Sequence, residues 1–346
     1  MSTFEYSNIT FSLPAKLKPT KAMHVRKGTS SVLGLIVTFA MALGISAASF
    51  AQDITPGGNN VGDTAVGRRF DAPINTLPLE KKWWWDDAWY EKGKLQVPVN
   101  HEVVEKDVSY VNSKDDTEVP AVLFRPKTEG KFPAVLFQHG RRGLDVVIKR
   151  LARRVAARGF VVLAPDVYAA RFIEQRPIEH LAETEADVNA GLDYLLGLPD
   201  ISTSRACLFS HTRGGYYTLK VAVAFDRQSK DVACYVSFYP HWQHPSAPEP
   251  MQVYRYAAEV DKLSIPALLF IGEYEQYQRR RSIETGVQFM KRAGKDVRLI
   301  IYPGVGRGFD FRPPNVRTFA DDLATKDSNL RAAEFMRKHL SMWKRN

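Results

Sequence analysis

Ala206 to Phe209 form an apolar run that ends in Ser210-His211-Thr212-Arg213-Gly214-Gly215, and a helix-compatible run follows from Gly214 to Phe225. No other feature constrains the fold as tightly. A strand passing into a helix through so short a junction describes a sharp turn that lifts one side chain above the edge of a sheet. Such a turn crowds the Cβ atoms two residues before and two after its apex, so both positions need small residues. Ser210 and Gly214 meet that need and put Thr212 at the apex.

The flanking sequence supplies the alternation of strand and helix that this turn implies. Leu144, Val147, Ile148, Leu151 and Val155 recur at helical spacing, with Gly159 placed to stop the helix. Phe160–Ala164 reads as a buried strand, Leu181–Leu196 as a helix and Val232–Tyr239 as a further strand. Asp296–Tyr302 reads as the last strand and Asn329–Trp343 as the closing helix. Upstream, Glu105–Val111 and Val119–Arg125 predict an antiparallel pair joined by Asn112–Glu118. The segment His241–Asp261 carries Pro245, Pro248 and Pro250 and is expected to be irregular, walling a crevice. The fold class is α/β, a mostly parallel central sheet with helices on both faces. Ligands bind such sheets in the crevice beyond the carboxyl ends of the strands.

The amino-terminal region reads differently. His24, Arg26 and Lys27 precede the uncharged run Val32–Ile45, and Ser49-Phe50-Ala51 offers a small-x-small exit before Gln52. Basic, apolar and small segments in that order predict a secretory signal peptide over residues 1–51, cleaved near Ala51, which would make the protein periplasmic or extracellular. Met23 begins a leader of more usual length, so residues 1–22 are a possible over-long start. Left uncleaved, the stretch from Gly28 to Gln52 is long enough for a membrane anchor. Residues 52–102 form an amino-terminal arm, rich in Gly, Pro, Asn and Asp as far as Leu79. Trp83, Trp84, Trp85 and Trp89, four of six tryptophans, then pack on the body, cover the pocket or dock a protein partner. Residues 103–346 form the α/β domain.

The net charge of +10 raises nucleic acid as a partner, but five basic residues and one acidic lie within 1–51, leaving +6 on the remainder. No nucleic-acid or cofactor-binding signature accompanies it, so neither partner is expected. Removal of the leader leaves 295 residues, ample for one large core. Cys207 and Cys234 fall in neighbouring buried strands, where each reads as a small apolar side chain. Spacing does not decide whether they are bridged. His241 and His244 allow a metal pair, but no carboxylate or thiol stands at ligand spacing, so no metal is expected.

Four further segments complete the pattern: Phe132–Gly140 (FPAVLFQHG), Gly159–Arg171 (GFVVLAPDVYAAR), Ile265–Glu275 (IPALLFIGEYE) and Arg298–Phe309 (RLIIYPGVGRGF). In this order with the 210–215 turn, from about Val103 to Trp343, they resemble the dienelactone hydrolase family, a branch of the α/β-hydrolases. That family's turn reads Gly-x-Cys-x-Gly-Gly, and its last segment reads Tyr-Pro-Gly-x-x-His-Gly-Phe. The resemblance implies an α/β-hydrolase fold acting on esters or lactones that bear a carboxylate.

Carried over position by position, the resemblance puts Thr212 at the nucleophile, Glu275 at the acid and Arg307 at the histidine. Glu orients a base as well as Asp does. A hydroxyl, however, needs a neighbouring base before it attacks, and a guanidinium stays protonated. Ordinary triad hydrolysis is therefore expected to be impaired, with Arg307 and Glu275 forming an ion pair instead. His241 is the candidate surrogate base, because it follows a strand whose carboxyl end faces the crevice. His211, next to the apex, should point away from the reactive side. Arg141, Arg142 and His139 fall in the loop beside the oxyanion site, Arg213 follows the apex, and Arg171 ends the Pro-Asp loop. Arg142 is expected to face solvent. The others suit a carboxylate or phosphate, since arginine offers planar paired donors. Three functions follow: an exported protein binding a small anion or a partner, an ester or lactone hydrolase using Thr212 with His241, or a structural subunit of an envelope complex.

Overall fold

The computed structural model describes residues 99–243 and 255–345. The expected leader, the Trp83–Trp89 arm and His244 lie outside the described residues.

Two strands open the fold, β1 (Val103–Asn112) and β2 (Thr117–Pro126), paired antiparallel with Val103 opposite Pro126 and Asn112 opposite Thr117. β1 exposes Glu105, Lys106 and Asp107, and charge on an edge strand discourages pairing with another chain. Next come β3 (Phe132–Gln138), α1 (Val146–Ala156), β4 (Val161–Pro165), the short α2 (Val167–Ala170) and α3 (Glu183–Gly197). β5 (Ile201–His211) runs into α4 (Gly214–Val223), followed by β6 (Val232–Phe238) and β7 (Ala267–Tyr274). α5 (Tyr277–Arg292), β8 (Val297–Gly306) and α6 (Phe319–Leu340) close the domain.

Among the described residues the strands form one eight-stranded sheet, ordered β1-β2-β4-β3-β5-β6-β7-β8. The β1–β2 and β2–β4 pairs are antiparallel, and every later pair is parallel. All seven residues of β6 and all five of β4 are buried, as a sheet covered on both faces requires. The chain places β4 on one side of β3 and β5 on the other, so the strand order reverses at β3. The carboxyl ends of β3 and β5 therefore bound the natural ligand crevice. This confirms the expected α/β-hydrolase architecture.

Local chemistry explains the helix boundaries. Asp145 caps α1 by accepting from the amides of Val147 and Ile148 at 3.0 and 2.9 Å, and Ile148, Leu151 and Val155 face the core. Gly159 stops the segment with φ +91°. Two boundaries differ from expectation. β8 continues past Tyr302 to Gly306, and α6 begins at Phe319, ten residues before Asn329. A capping box between Thr318 and Asp321 starts α6. Its first turns bury Asp321, Thr325, Asp327 and Ser328 beside Ala324, and these polar positions hide the helical period. Asp327 is held inside by the Tyr302 hydroxyl at 2.6 Å and Arg331 at 2.7 Å.

Parallel register also settles the cysteines. Cys207 lies opposite Cys234, their Cα atoms are 4.7 Å apart, and the two sulfurs are bonded. Two separate small apolar side chains were the expectation; adjacency across the β5–β6 ladder makes them one disulfide.

Candidate active site

Thr212 sits at the junction of β5 and α4 with φ +53°, a left-handed conformation that a β-branched residue adopts only under constraint. The constraint is visible on both sides. Its amide donates to Phe238 O at 3.1 Å, and its carbonyl accepts from the amides of Gly215 at 3.0 Å and His241 at 2.8 Å. The turn is thereby tied to the end of β6. Two glycines make room for it: a Cβ at Gly140 would overlap the Thr212 hydroxyl, and one at Gly214 would strike the Gln138 carbonyl. Among the described residues no side chain is hydrogen-bonded to that hydroxyl, so nothing there accepts its proton.

Glu275 follows β7 and Arg307 follows β8, and the two strands lie side by side. Arg307 Nη1 donates to Glu275 Oε1 at 2.9 Å. The same oxygen accepts from the Gln276 amide at 3.0 Å, and the carboxylate is buried. Arg307 Nη2 reaches His241 Nε2 at 2.6 Å, and the guanidinium carbon stands 5.2 Å from the centre of the Tyr239 ring. A guanidinium has only donors, so Nε2 must be the acceptor and the ring proton belongs on Nδ1. His241 is thus neutral with its Nε2 lone pair engaged. Burial pushes its pKa well below the usual histidine range, and Arg307, Arg279, Arg213 and Arg141 push it further. Two unit charges 4 Å apart repel by about 4 kcal/mol at an effective dielectric constant near 20. A proton taken onto His241 would meet a penalty of that order from Arg307 alone.

His241 therefore shares the crevice with Thr212 but is poorly suited to take its proton. The crevice is a cavity of about 330 Å³, and Gly140, Arg141, Thr212, His241, Arg279 and Arg307 are among its walls.

The remaining arginines divide unexpectedly. Arg141 donates to the carbonyls of Pro177 at 2.8 Å and Arg176 at 2.7 Å. Arg213 donates to the next two, Ile178 and Glu179, each at 2.8 Å. Four consecutive carbonyls of the 176–179 segment thus accept from two guanidinium groups. Arg213 is not a free anion donor, as the sequence suggested, but a buried clamp on this segment. Arg171 is likewise corrected. It is drawn away by Asp187 at 2.8 and 2.7 Å and Asp115 at 2.7 Å, carboxylates that raise its pKa, and it does not line the cavity. His139 is fully buried behind the loop, with Nδ1 on Gly140 O at 2.8 Å and its ring edge-on to Tyr168 at 4.7 Å. It does not line the cavity either. Arg142, expected in solvent, is in the wall, bonded to Asp145 at 2.8 Å and 5.9 Å from the centre of the Phe311 ring.

Two residues escaped the sequence reading. Arg279, in the first turn of α5, lines the cavity. The other is Asp310, which accepts from His211 Nε2 at 2.9 Å and from the Tyr239 hydroxyl. Burial alone would raise the Asp310 carboxyl, but His211 and Tyr239 more than offset this and hold it below the ordinary range. The His211 ring lies among Phe137, Phe209 and Phe238, with centroids 5.5, 5.6 and 4.9 Å away. Its partner is therefore a carboxylate inside the core. Among the described residues there is no cluster of three or more His, Cys, Asp or Glu that could hold a metal ion, and no helix long and apolar enough to cross a membrane.

Comparison with known proteins places this geometry. The dienelactone hydrolase family model matches residues 119–340. A hydrolase fragment of Escherichia coli K12 is 42% identical over 66 residues, covering 19% of this chain and 56% of the fragment. A protein of Methylorubrum extorquens named as a carboxymethylenebutenolidase is 27% identical, covering 57% of this chain and 71% of its own length. Among solved structures, a protein of Klebsiella pneumoniae described as a dienelactone hydrolase superposes with TM-score 0.55 at 19% identity, over 70% of this chain and 100% of that one. A bacterial brefeldin A esterase gives TM-score 0.55 at 16% identity, over 80% and 84% of the two chains. At these identities the structural likeness is one of fold.

Proposed function

Since the chain belongs to the dienelactone hydrolase family, we propose that it keeps the family's crevice but binds a small anion there instead of hydrolysing esters by the usual route. The observation that carries this reading is Arg307. One guanidinium stands where a base is needed, donates to the acid Glu275 and occupies the lone pair of His241, while His211, also in the cavity wall, has its Nε2 on Asp310. Thr212 is then an alcohol without a base, held in a strained turn. The anion half rests on charge: Arg307, Arg141 and Arg213 all act on Arg279 across the crevice, and Glu275 is a carboxylate that opposes them there.

Export belongs to the same proposal. It is supported by the leader sequence and by the Cys207–Cys234 bridge, a pairing typical of oxidising compartments. A mature amino terminus near Gln52 in protein from the native cell would support it; an intact segment 24–51 in the membrane fraction would refute it.

The competing reading is hydrolysis by Thr212 with His241, favoured by their shared cavity and by the hydrogen bond from the His241 amide to the Thr212 carbonyl. Steady-state turnover of p-nitrophenyl esters decides between them. The binding reading expects wild type and Thr212→Ala to be indistinguishable. Loss of a measurable rate in Thr212→Ala, and again in His241→Ala, would establish the hydrolase instead.

A further inference from the structure

α1 carries Lys149, Arg150, Arg153 and Arg154 and no acidic residue, and Arg158 follows just beyond its end. Ile148, Leu151, Ala152 and Val155 turn inward, so Val146, Arg150, Arg153 and Arg154 form the outer stripe. α6 runs beside α1 in the same direction, since each follows the carboxyl end of a strand in the parallel part of the sheet. Near the far end of both helices, Arg337 donates to the Arg158 carbonyl at 2.9 Å and stands 5.8 Å from the centre of the Phe160 ring. Cations therefore meet cations across the two helices. Burial, then Arg337 and Arg154, push the Arg158 guanidinium below its ordinary value. Arg153 pairs with Glu105 and Arg317 with Asp322. Among the described residues, Arg150, Arg158 and Arg337 have no carboxylate within ion-pair distance. Like charges gathered on one face without counter-charges repel one another and attract an anionic partner.

The crevice end of the same face exposes apolar side chains. Val146 and Phe319, the first residues of the two helices, are 71% and 77% exposed, and Val316 is 54% exposed. We propose that this face, with Arg150, Arg154, Arg158 and Arg337 as its cations and Val146 and Phe319 at its crevice end, docks on an anionic lipid bilayer. The mixture of side chains decides the partner. A bilayer interface accepts both kinds: headgroup phosphates pair with arginine forks, and apolar side chains enter the boundary with the acyl chains. A nucleic acid would satisfy the arginines and leave Val146 and Phe319 in water. The inference stands apart from the binding reading above, because none of these four arginines lines the cavity. It bears on the crevice all the same. Arg142, Ile148 and Phe311 do line the cavity, at the end where α1 and α6 begin, so docking brings the cavity rim next to lipid.

The test is co-sedimentation of the full chain with vesicles of phosphatidylcholine alone and of phosphatidylcholine mixed with phosphatidylglycerol. The mixed vesicles should bind at least about tenfold more tightly, and the difference should shrink as salt rises. Arg150→Gln should weaken binding to them by about fivefold, the contribution of one cation near such a surface. Arg150→Glu should weaken it further, and adding Arg337→Gln should multiply the loss, since the two residues lie at opposite ends of the face. Phe319→Ser should also weaken binding while leaving its salt dependence in place. Unchanged thermal unfolding would show that the variants are folded. Equal binding to both kinds of vesicle, as insertion of the apolar run Val32–Ile45 would give, would overturn the proposal, and so would undiminished binding by Arg150→Glu. Retention by duplex DNA without binding to the mixed vesicles would overturn the choice of partner.

Discussion

Arg307 donates to His241 across 2.6 Å, and the imidazole is the acceptor. The cation that replaces the expected histidine therefore also disables His241, the candidate surrogate base. Both effects come from one side chain and can be separated by changing it.

Replacing Arg307 with Gln removes the nearest positive charge from His241. Burial still disfavours its protonation, so the titration midpoint should rise without reaching the usual histidine value. Two-dimensional NMR of the imidazole resonances reads this directly. An unmoved midpoint would mean that Arg307 does not set the state of His241.

Stability should fall as pH drops below about 6.5, the unfolded histidine value. His241 and His139 both have folded pKa values lowered first by burial, so the unfolded chain binds more protons there and stability rises with pH. Each group contributes a slope of at most about 1.4 kcal/mol per pH unit. Asp310, also lowered, adds a loss of the same sign only in stronger acid. Urea unfolding at pH 5 and pH 7 should show the difference, and His241→Gln should flatten it.

Thr212→Gly should stabilise the fold by about 1 kcal/mol, since a left-handed backbone costs an L-residue roughly that much and glycine nothing. Gly140→Ala should destabilise by about 1–3 kcal/mol through overlap with the Thr212 hydroxyl. The two changes touch, so the double variant should recover part of the loss rather than add. Denaturant midpoints of the four proteins complete the cycle.

Arg213→Gln should loosen the 176–179 segment, because its guanidinium holds the carbonyls of Ile178 and Glu179. Hydrogen exchange should quicken across residues 172–182 while the β5 and β6 amides keep their protection. Uniform change, or none, would show that the clamp is not what orders the segment.

How much of this could be read from the chain follows from where the information lies. The elbow was legible because Ser210, Thr212 and Gly214 are local, and the sheet because apolar runs alternate with helical spacing. The Glu275–Arg307 pair was legible because the family resemblance put the two at the acid and histidine positions, which meet in that fold. What escaped depends on tertiary neighbours. Nothing local to Arg171 announces Asp187 and Asp115, and nothing near Arg213 shows that backbone carbonyls will claim it. His211 finds Asp310 across 99 residues. Arg279 reaches the cavity only through the placement of α5. The early start of α6 was hidden by buried polar residues that break the apolar period.

The central claim is that Thr212 has no base, and the most direct measurement is covalent labelling by a fluorophosphonate, which reports an activated hydroxyl whatever the natural ligand. Wild type should remain unlabelled at Thr212 by peptide mass spectrometry after prolonged exposure. Arg307→His, which restores an imidazole beside Glu275, should label there if any single change does. Rapid labelling of Thr212 in the wild type, abolished by His241→Ala, would contradict the account and make this chain a working hydrolase.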